Sequence, residues 1–404
     1  MKVGSRRPLS ALLSQILVAF TLELDNEFEQ EIVKAGHPGA RLSLIVWSNL
    51  IRFVADDGIS VRDLVAKSLL EQTQVRFMLG CLERWGFVML ELNAQKPDSK
   101  TPKKSLKSRL AVRDGWGSGR GITSDWIVKL TATRGAKARE VWPPLFKVVE
   151  ARWRTRFGNE EIRELRDALQ SIVGRLDLEL PHGFIDIRER KHAFPRRRDQ
   201  KAPGLPLSTL LSQALLAFAI DFERESAAPF ALCANAIRVL AEEAIPESEI
   251  PRLTGSSPET SGVGWQLKPY VVLEPDPASH RGKVIRLSSR GLHAQRNYQR
   301  LTAAIEKNWE SRFGRKEVSA LRDSLQALLN AEKEDHSLLS EGLAPSKGTI
   351  RAGDVAPALG RRDVGAAAKQ RARDMVAQTE MFVRDPSGSL PHYPLWDMNR
   401  GFGP

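Results

Sequence analysis

Cysteine is nearly absent: Cys81 and Cys233 are the two in 404 residues. Two thiols cannot staple a chain of this length, so a disulfide scaffold is excluded and a reducing, cytoplasmic compartment fits. Long uninterrupted apolar runs are also missing; none reaches the ~18 residues that a membrane helix needs. The seven histidines (His37, His182, His192, His280, His293, His336 and His392) form no HExxH pair and no metal-spaced cluster with the cysteines. There is no GxSxG nucleophile elbow. Gly117-Ser118-Gly119-Arg120-Gly121 lacks the Lys-Ser/Thr ending of a phosphate loop. Nothing here points to catalysis, a metal or a cofactor.

What is present is an ordinary globular balance, 42% hydrophobic and 27% charged, long enough for two to three domains. The net charge of +12 is concentrated. Lys96, Lys100, Lys103, Lys104, Lys107, Arg109, Arg113 and Arg120 stand against only Asp98 and Asp114. Arg188, Arg190, Lys191, Arg196, Arg197, Arg198 and Lys201 stand against Glu189 and Asp199. Two short segments therefore hold nearly all of the excess, which suits a polyanion such as nucleic acid. A pair of solvated basic loops is the plainer alternative.

Lys2, Arg6 and Arg7 ahead of the apolar stretch Leu9 to Leu22 imitate a secretory signal. Gln15 interrupts the stretch, no small-residue cleavage site follows, and the segment recurs inside the chain. Pro8-Leu9-Ser10-Ala11-Leu12-Leu13-Ser14-Gln15 matches Pro206-Leu207-Ser208-Thr209-Leu210-Leu211-Ser212-Gln213. The duplication continues. Glu23 and Asp25 match Asp221 and Glu223, Trp153 to Gly158 matches Trp309 to Gly314, and Leu165 to Gln170 matches Leu321 to Gln326. Leu180-Pro181-His182 returns as Leu390-Pro391-His392. The two histidines therefore read as sharing a structural role. The expected organisation is repeat 1 over 8–185, a basic linker over 186–205 and repeat 2 over 206–332. An insertion and tail, partly disordered, would fill 333–404.

Within repeat 1, residues 9–34 predict a long helix, and Leu42 to Val54 a second, mostly buried one. Ser60, with Asp63 three residues on, opens a short helix. Val75, Met78, Leu79 and Leu82 form one apolar stripe on the next helix, which Gly86 ends. Phe87–Leu92 and Trp126–Leu130 read as strands joined by the basic stretch. A helix from about Ala136 is expected to be interrupted and kinked at Pro143-Pro144. Asn159 is expected to cap the helix that follows, to about Val173. These last two helices, with the first, would form the interface between repeats. Helix, turn, helix and a hairpin is the layout of a winged helix-turn-helix, whose second helix enters the major groove.

The run Ser60-Val61-Arg62-Asp63-Leu64, then Val75, Leu82 to Val88, and Val128-Lys129-Leu130-Thr131 with Gly135 resembles a MarR-type winged-helix regulator. Val284 to Ser288 with Gly291 resembles its later part in repeat 2. The resemblance implies a mainly α fold with small β wings: two tandem winged-helix domains forming a single-chain pseudo-dimer. It implies double-stranded DNA as partner, no membrane and no catalysis, and leaves open a small-molecule effector and further homodimerisation. The chain departs from the family in its long basic wing, at about 93–123. In repeat 2, Gly262, Gly264 and Pro269 stand where a recognition helix belongs.

The expected DNA contacts in repeat 1 are Ser60, Gln72, Thr73, Gln74, Arg76 and Arg84, with Gln suited to adenine and Arg to guanine. The wing cations Lys96 to Arg120 would grip phosphate without choosing sequence. Phe77 would meet a thymine methyl or pack under the wing. In repeat 2 the candidates are Ser257, Thr260, Gln266 and Lys268, then Arg281, Lys283 and Arg286. Cys81 reads as a packing residue, and Trp47, Trp142 and Trp153 as core or as the lining of an effector pocket. The competing reading is a winged-helix scaffold, or a nucleoid-type protein, that binds DNA backbone or acidic partners without sequence choice.

Overall fold

The computed structural model describes residues 7–37, 40, 42–92, 122–185, 194–197, 204–254, 267–277, 282–331 and 390–394. It is mainly helical, with two small antiparallel sheets.

The first half opens with α1 (Leu9–Lys34). Over most of its length it is apolar nearly all round, and such a helix must be enclosed on every side. Leu12, Leu13, Ile16, Phe20 and Phe28 are almost fully buried. By length and composition α1 could cross a membrane, yet its most apolar stretch lies wholly inside the protein. After α2 (Leu44–Asn49) and a turn of 3-10 helix come β1 (Ile59–Ser60) and α3 (Val61–Ser68). Ser60 Oγ accepts from Asp63 N at 3.0 Å, the cap expected from the sequence. Leu69, at φ +59°, turns the chain into α4 (Gln72–Arg84). The stripe Val75, Met78, Leu79 and Leu82 is buried. Gly86 ends α4 at φ +75°, with Phe87 N donating to Leu82 O in a Schellman closure.

β2 (Val88–Leu92) and β3 (Trp126–Leu130) follow, and the sheet runs β1-β3-β2. Val128 is the shared partner of Ile59 and Leu90. Gly135 opens the next helix so close to Phe87 that an added Cβ would lie 2.1 Å from its carbonyl oxygen. That helix, α5 (Arg134–Phe157), runs unbroken through Pro143-Pro144 and corrects the expected interruption. Both prolines are exposed, while Trp142 and Leu145 beside them are buried. Trp142 stacks on Phe28 at 4.8 Å. The cap of α6 (Asn159–Val173) also differs: Asn159 is its first residue, and Gly158, at φ +108°, holds the cap position. Only glycine takes that conformation without strain.

The second half repeats the order. It comprises α7 (Leu207–Glu225), α8 (Phe230–Leu232) running into a π-turn, β4 (Ile245–Pro246), α9 (Ile250–Thr254), β5 (Val271–Pro275), β6 (Lys283–Leu287), α10 (Ser289–Phe313) and α11 (Arg315–Asn330). Its sheet runs β4-β6-β5, with Ile285 the shared partner of Ile245 and Leu273. Gly291 approaches Tyr270 O as Gly135 approaches Phe87 O, and Gly314 mirrors Gly158 at φ +99°.

The halves meet through α1 on α7 and α6 on α11, with α1 also against α11 and α6 against α7. α5, expected in this interface, packs chiefly on α1 and α6 of its own half. Polar side chains cross the interface in matched pairs. Gln15 Nε2 donates to Leu390 O at 3.2 Å, and Gln213 Nε2 to Leu180 O at 2.9 Å. Asn49 exchanges two hydrogen bonds with Gly183, and Asn235 two with Tyr393. Each Leu-Pro-His segment is thus clasped by an asparagine of its own half and a glutamine of the other. Arg166 Nη1 donates to Leu205 O just before α7, and Arg322 Nη1 to Arg7 O just before α1.

One buried network lies within each half. Glu23 accepts from Trp153 Nε1 at 2.7 Å, from Arg152 Nη1 at 3.1 Å and from Arg156 Nη1 at 3.1 Å. Its counterpart Asp221, with a side chain 24% exposed, accepts from Trp309 Nε1 at 2.9 Å, and among the described residues its cation is the exposed Arg224.

Candidate nucleic-acid interface

α3 and α4 pack as a pair across the turn at Leu69, with β2 running back beside α4. Packing buries the inner stripe of α4 and leaves its amino end in solvent. Thr73 falls opposite the stripe, and Gln72 stands nearly a turn ahead of Val75, where the stripe begins. Both are exposed. At that end the Glu71 carboxylate accepts from Gln74 N, so one carboxylate already sits on the positive end of the helix dipole. Gln74 is engaged otherwise: its Oε1 accepts from Glu71 N at 3.3 Å, closing a capping box. Arg76 is half-buried, and its Nε is enclosed with no hydrogen-bond partner among the described residues. Arg84 is exposed at the far end, its Nη2 3.7 Å from Cys81 Sγ. Ser60 is occupied in capping α3, its Oγ also donating to Asp63 at 2.7 Å.

The wing cations Lys96, Lys100, Lys103, Lys104, Lys107, Arg109, Arg113 and Arg120 lie outside the described residues, as do Ser257, Thr260, Gln266 and Arg281. At the wing's base, Lys129 pairs with Glu91 at 2.8 Å and Arg62 with Asp125 at 3.1 Å. In the second half, Lys268 and Lys283 are exposed, while Arg286 is paired with Glu274 at 3.1 Å. Lys268 belongs to a single 3-10 turn, Lys268–Tyr270, leading straight into β5. The described part of the segment opposite α4 is thus a turn and not a long helix.

Sequence reasoning missed two features of this face. Met89 and Leu92 of β2 are exposed, at 45% and 48%. The alternation Val88-Met89-Leu90 carries that signal for Met89, since Val88 and Leu90 point inward. Arg134 Nη1 donates to Trp85 O at 2.9 Å and ties α5 to the end of α4.

The other candidates fall into packing. Burial pushes the Cys81 thiol up, and that of Cys233 to about 12, so both are held as inert thiols. His182 is lowered to about 4 by burial, then by the charges of Arg52 and Arg197. His392 is lowered in the same way, with Arg238 and Arg7 nearby. Trp142, stacked between Phe28 and Trp47, and Trp153, edge-on to Phe20, are fully enclosed core. Among the described residues no group of three His, Cys, Asp or Glu side chains is placed to hold a metal ion. No protein-family model matches the chain, and no curated protein or solved structure matches it either. The functional reading therefore rests on these side chains.

Proposed function

We propose that the chain is a non-catalytic, cytoplasmic DNA-binding regulator. Two winged-helix halves are joined as a single-chain pseudo-dimer, and the first half reads duplex DNA. The observation that carries this is the exposed amino end of α4, with Gln72 and Thr73 in solvent. It stands next to the strand pair whose connecting stretch holds, between Lys96 and Arg120, eight cations against two acids. Gln72 reads a base edge, and the connecting stretch grips phosphate. Arg76 turns outward to a guanine only when DNA gives its guanidinium a partner. The second half, with a turn opposite α4, completes the pair and contributes backbone contacts.

Selection from random duplexes at near-physiological salt tests this. An enriched motif is expected. Gln72→Ala and Arg76→Ala each lower affinity for it by about 5- to 150-fold, since a good base contact contributes about 1–3 kcal/mol. They leave non-specific binding nearly unchanged. Tight, salt-sensitive binding without enrichment would favour the second reading, a sequence-indifferent scaffold. The exposure of three large apolar side chains, Phe77, Met89 and Leu92, favours that reading. No binding to any duplex would refute both the regulator and a DNA-bound scaffold.

A further inference from the structure

The exposed side of α10 carries a stripe of one sign. Arg290, Arg296, Arg300 and Lys307 recur at spacings of six, four and seven residues, all in solvent, with the exposed His293 between the first two. The other exposed positions on that side are uncharged: Ser289, Gln299, Ala303, Asn308 and Ser311. The buried residues of the helix, from Gly291 through Ala294, Tyr298, Leu301 and Ile305 to Trp309, lie on the opposite side. At 1.5 Å per residue the stripe spans about 25 Å. Arg290 rests its guanidinium 4.9 Å over the Tyr270 ring, next to the exposed Lys268. None of the stripe cations forms an ion pair among the described residues, whereas Arg312 and Arg315 at the end of the half pair with Asp177 and Glu310.

The duplication supplies an internal comparison. Arg134 and Lys137 of α5 stand where α10 has Arg290 and His293, but Glu140, Pro144 and Ala151 stand where it has Arg296, Arg300 and Lys307. In α5 the acid is used locally, Lys137 pairing with Glu140 at 2.7 Å. The buried positions kept their roles, with Gly135 matched by Gly291 and Trp153 by Trp309. The charged ones changed: α10 gains Arg296, Arg300 and Lys307, while the exposed Lys147 and Arg154 of α5 are replaced by Ala303 and Glu310. Like charges one turn apart weaken a helix, so folding alone gives no reason for this pattern.

We propose that this face of α10 is a binding track for the phosphate backbone of duplex DNA, contributed by the second half. The choice of polyanion rests on the DNA-binding reading above. The cations neutralise phosphates without touching base edges, so the track adds affinity and salt dependence but no sequence choice.

The full chain with Arg296→Gln, Arg300→Gln and Lys307→Gln tests it by fluorescence anisotropy with a labelled duplex between 50 and 200 mM salt. The plot of log affinity against log salt should become shallower by about 2 to 3, at roughly 0.9 for each phosphate no longer neutralised. The drop in affinity should be equal on a selected and a random duplex. Arg296→Lys with Arg300→Lys, which keeps the charge and the helix, should keep the parent slope. Removing three cations elsewhere, by Arg163→Gln, Arg224→Gln and Lys316→Gln, should leave it unchanged. If the parent binds duplex and the triple variant keeps its slope, or the control falls as far, the track is refuted while the DNA-binding reading stands. If the parent binds no duplex, both fall.

Discussion

Glu23 and Asp221 occupy the same place in the two halves, and removing each should cost very different amounts. Both accept the indole N–H of a fully buried tryptophan, Trp153 or Trp309. Glu23→Ala and Asp221→Ala therefore share the penalty of one buried donor left unmade, about 1–2 kcal/mol. Glu23 also neutralises Arg156, whose side chain is 7% exposed, and half-buried Arg152. Taking one partner from a buried ion pair costs about 3–5 kcal/mol, because the other charge stays enclosed. The second half carries no such penalty: Arg312, the counterpart of Arg156, pairs with Asp177, and Asn308 replaces Arg152. Urea denaturation followed by tryptophan fluorescence should show Glu23→Ala less stable than Asp221→Ala by about 2–3 kcal/mol, part of the ion-pair cost being relieved because Arg152 keeps Glu27 at 2.6 Å. Glu23→Gln, which keeps an acceptor for Trp153 but not the charge, should fall between them. Equal losses at the two positions would refute the assignment of the extra cost to the arginines.

Three further outcomes follow from the geometry. Gly135→Ala and Gly291→Ala should each cost about 2 kcal/mol or more, because the new Cβ would meet a backbone carbonyl at 2.1 Å. Gly86→Ala, with positive φ but open space, should cost only about 1–2 kcal/mol, and thermal melts give the ranking. His182 is kept neutral in the fold, with its pKa lowered to about 4, while in the unfolded chain it takes up a proton near 6.5. Its contribution is intact above pH 6.5 and is lost as pH falls from 6.5 to 4, by up to about 3 kcal/mol. His182→Gln should flatten that part of the profile of urea midpoint against pH. A parent and variant with parallel profiles would overturn the assignment.

Much of the fold was legible because it is written locally. The cap at Ser60, the stripe Val75-Met78-Leu79-Leu82 and the glycine stop at Gly86 each depend on residues a few positions apart, and each appears where periodicity placed it. Gln15 was not legible. Read locally it is a polar flaw in an apolar run; its partner Leu390 lies 375 residues away, and no spacing rule reaches so far. Asn159 lost the cap to Gly158 because a positive φ at the α5–α6 corner is needed before any side chain can help. At the candidate interface, the exposure of Thr73 follows from helix periodicity, and that of Gln72 from its place ahead of the stripe. The diversion of Gln74 into a capping box follows from Glu71 three residues earlier, a signal present in the sequence but not used.

The crossed clasps have a consequence for biosynthesis. α1 leaves the ribosome well before the groups that enclose it. α7 follows roughly half the chain later, and the carbonyl that Gln15 holds lies at residue 390. At about 5–20 residues per second, translation of the intervening stretch takes roughly 20–75 s. Throughout that interval Leu12, Leu13, Ile16 and Phe20 have no finished core to enter. The apolar surface of α1 therefore waits tens of seconds for its cover, and the segment around residue 390, not α1 itself, decides when this core can close.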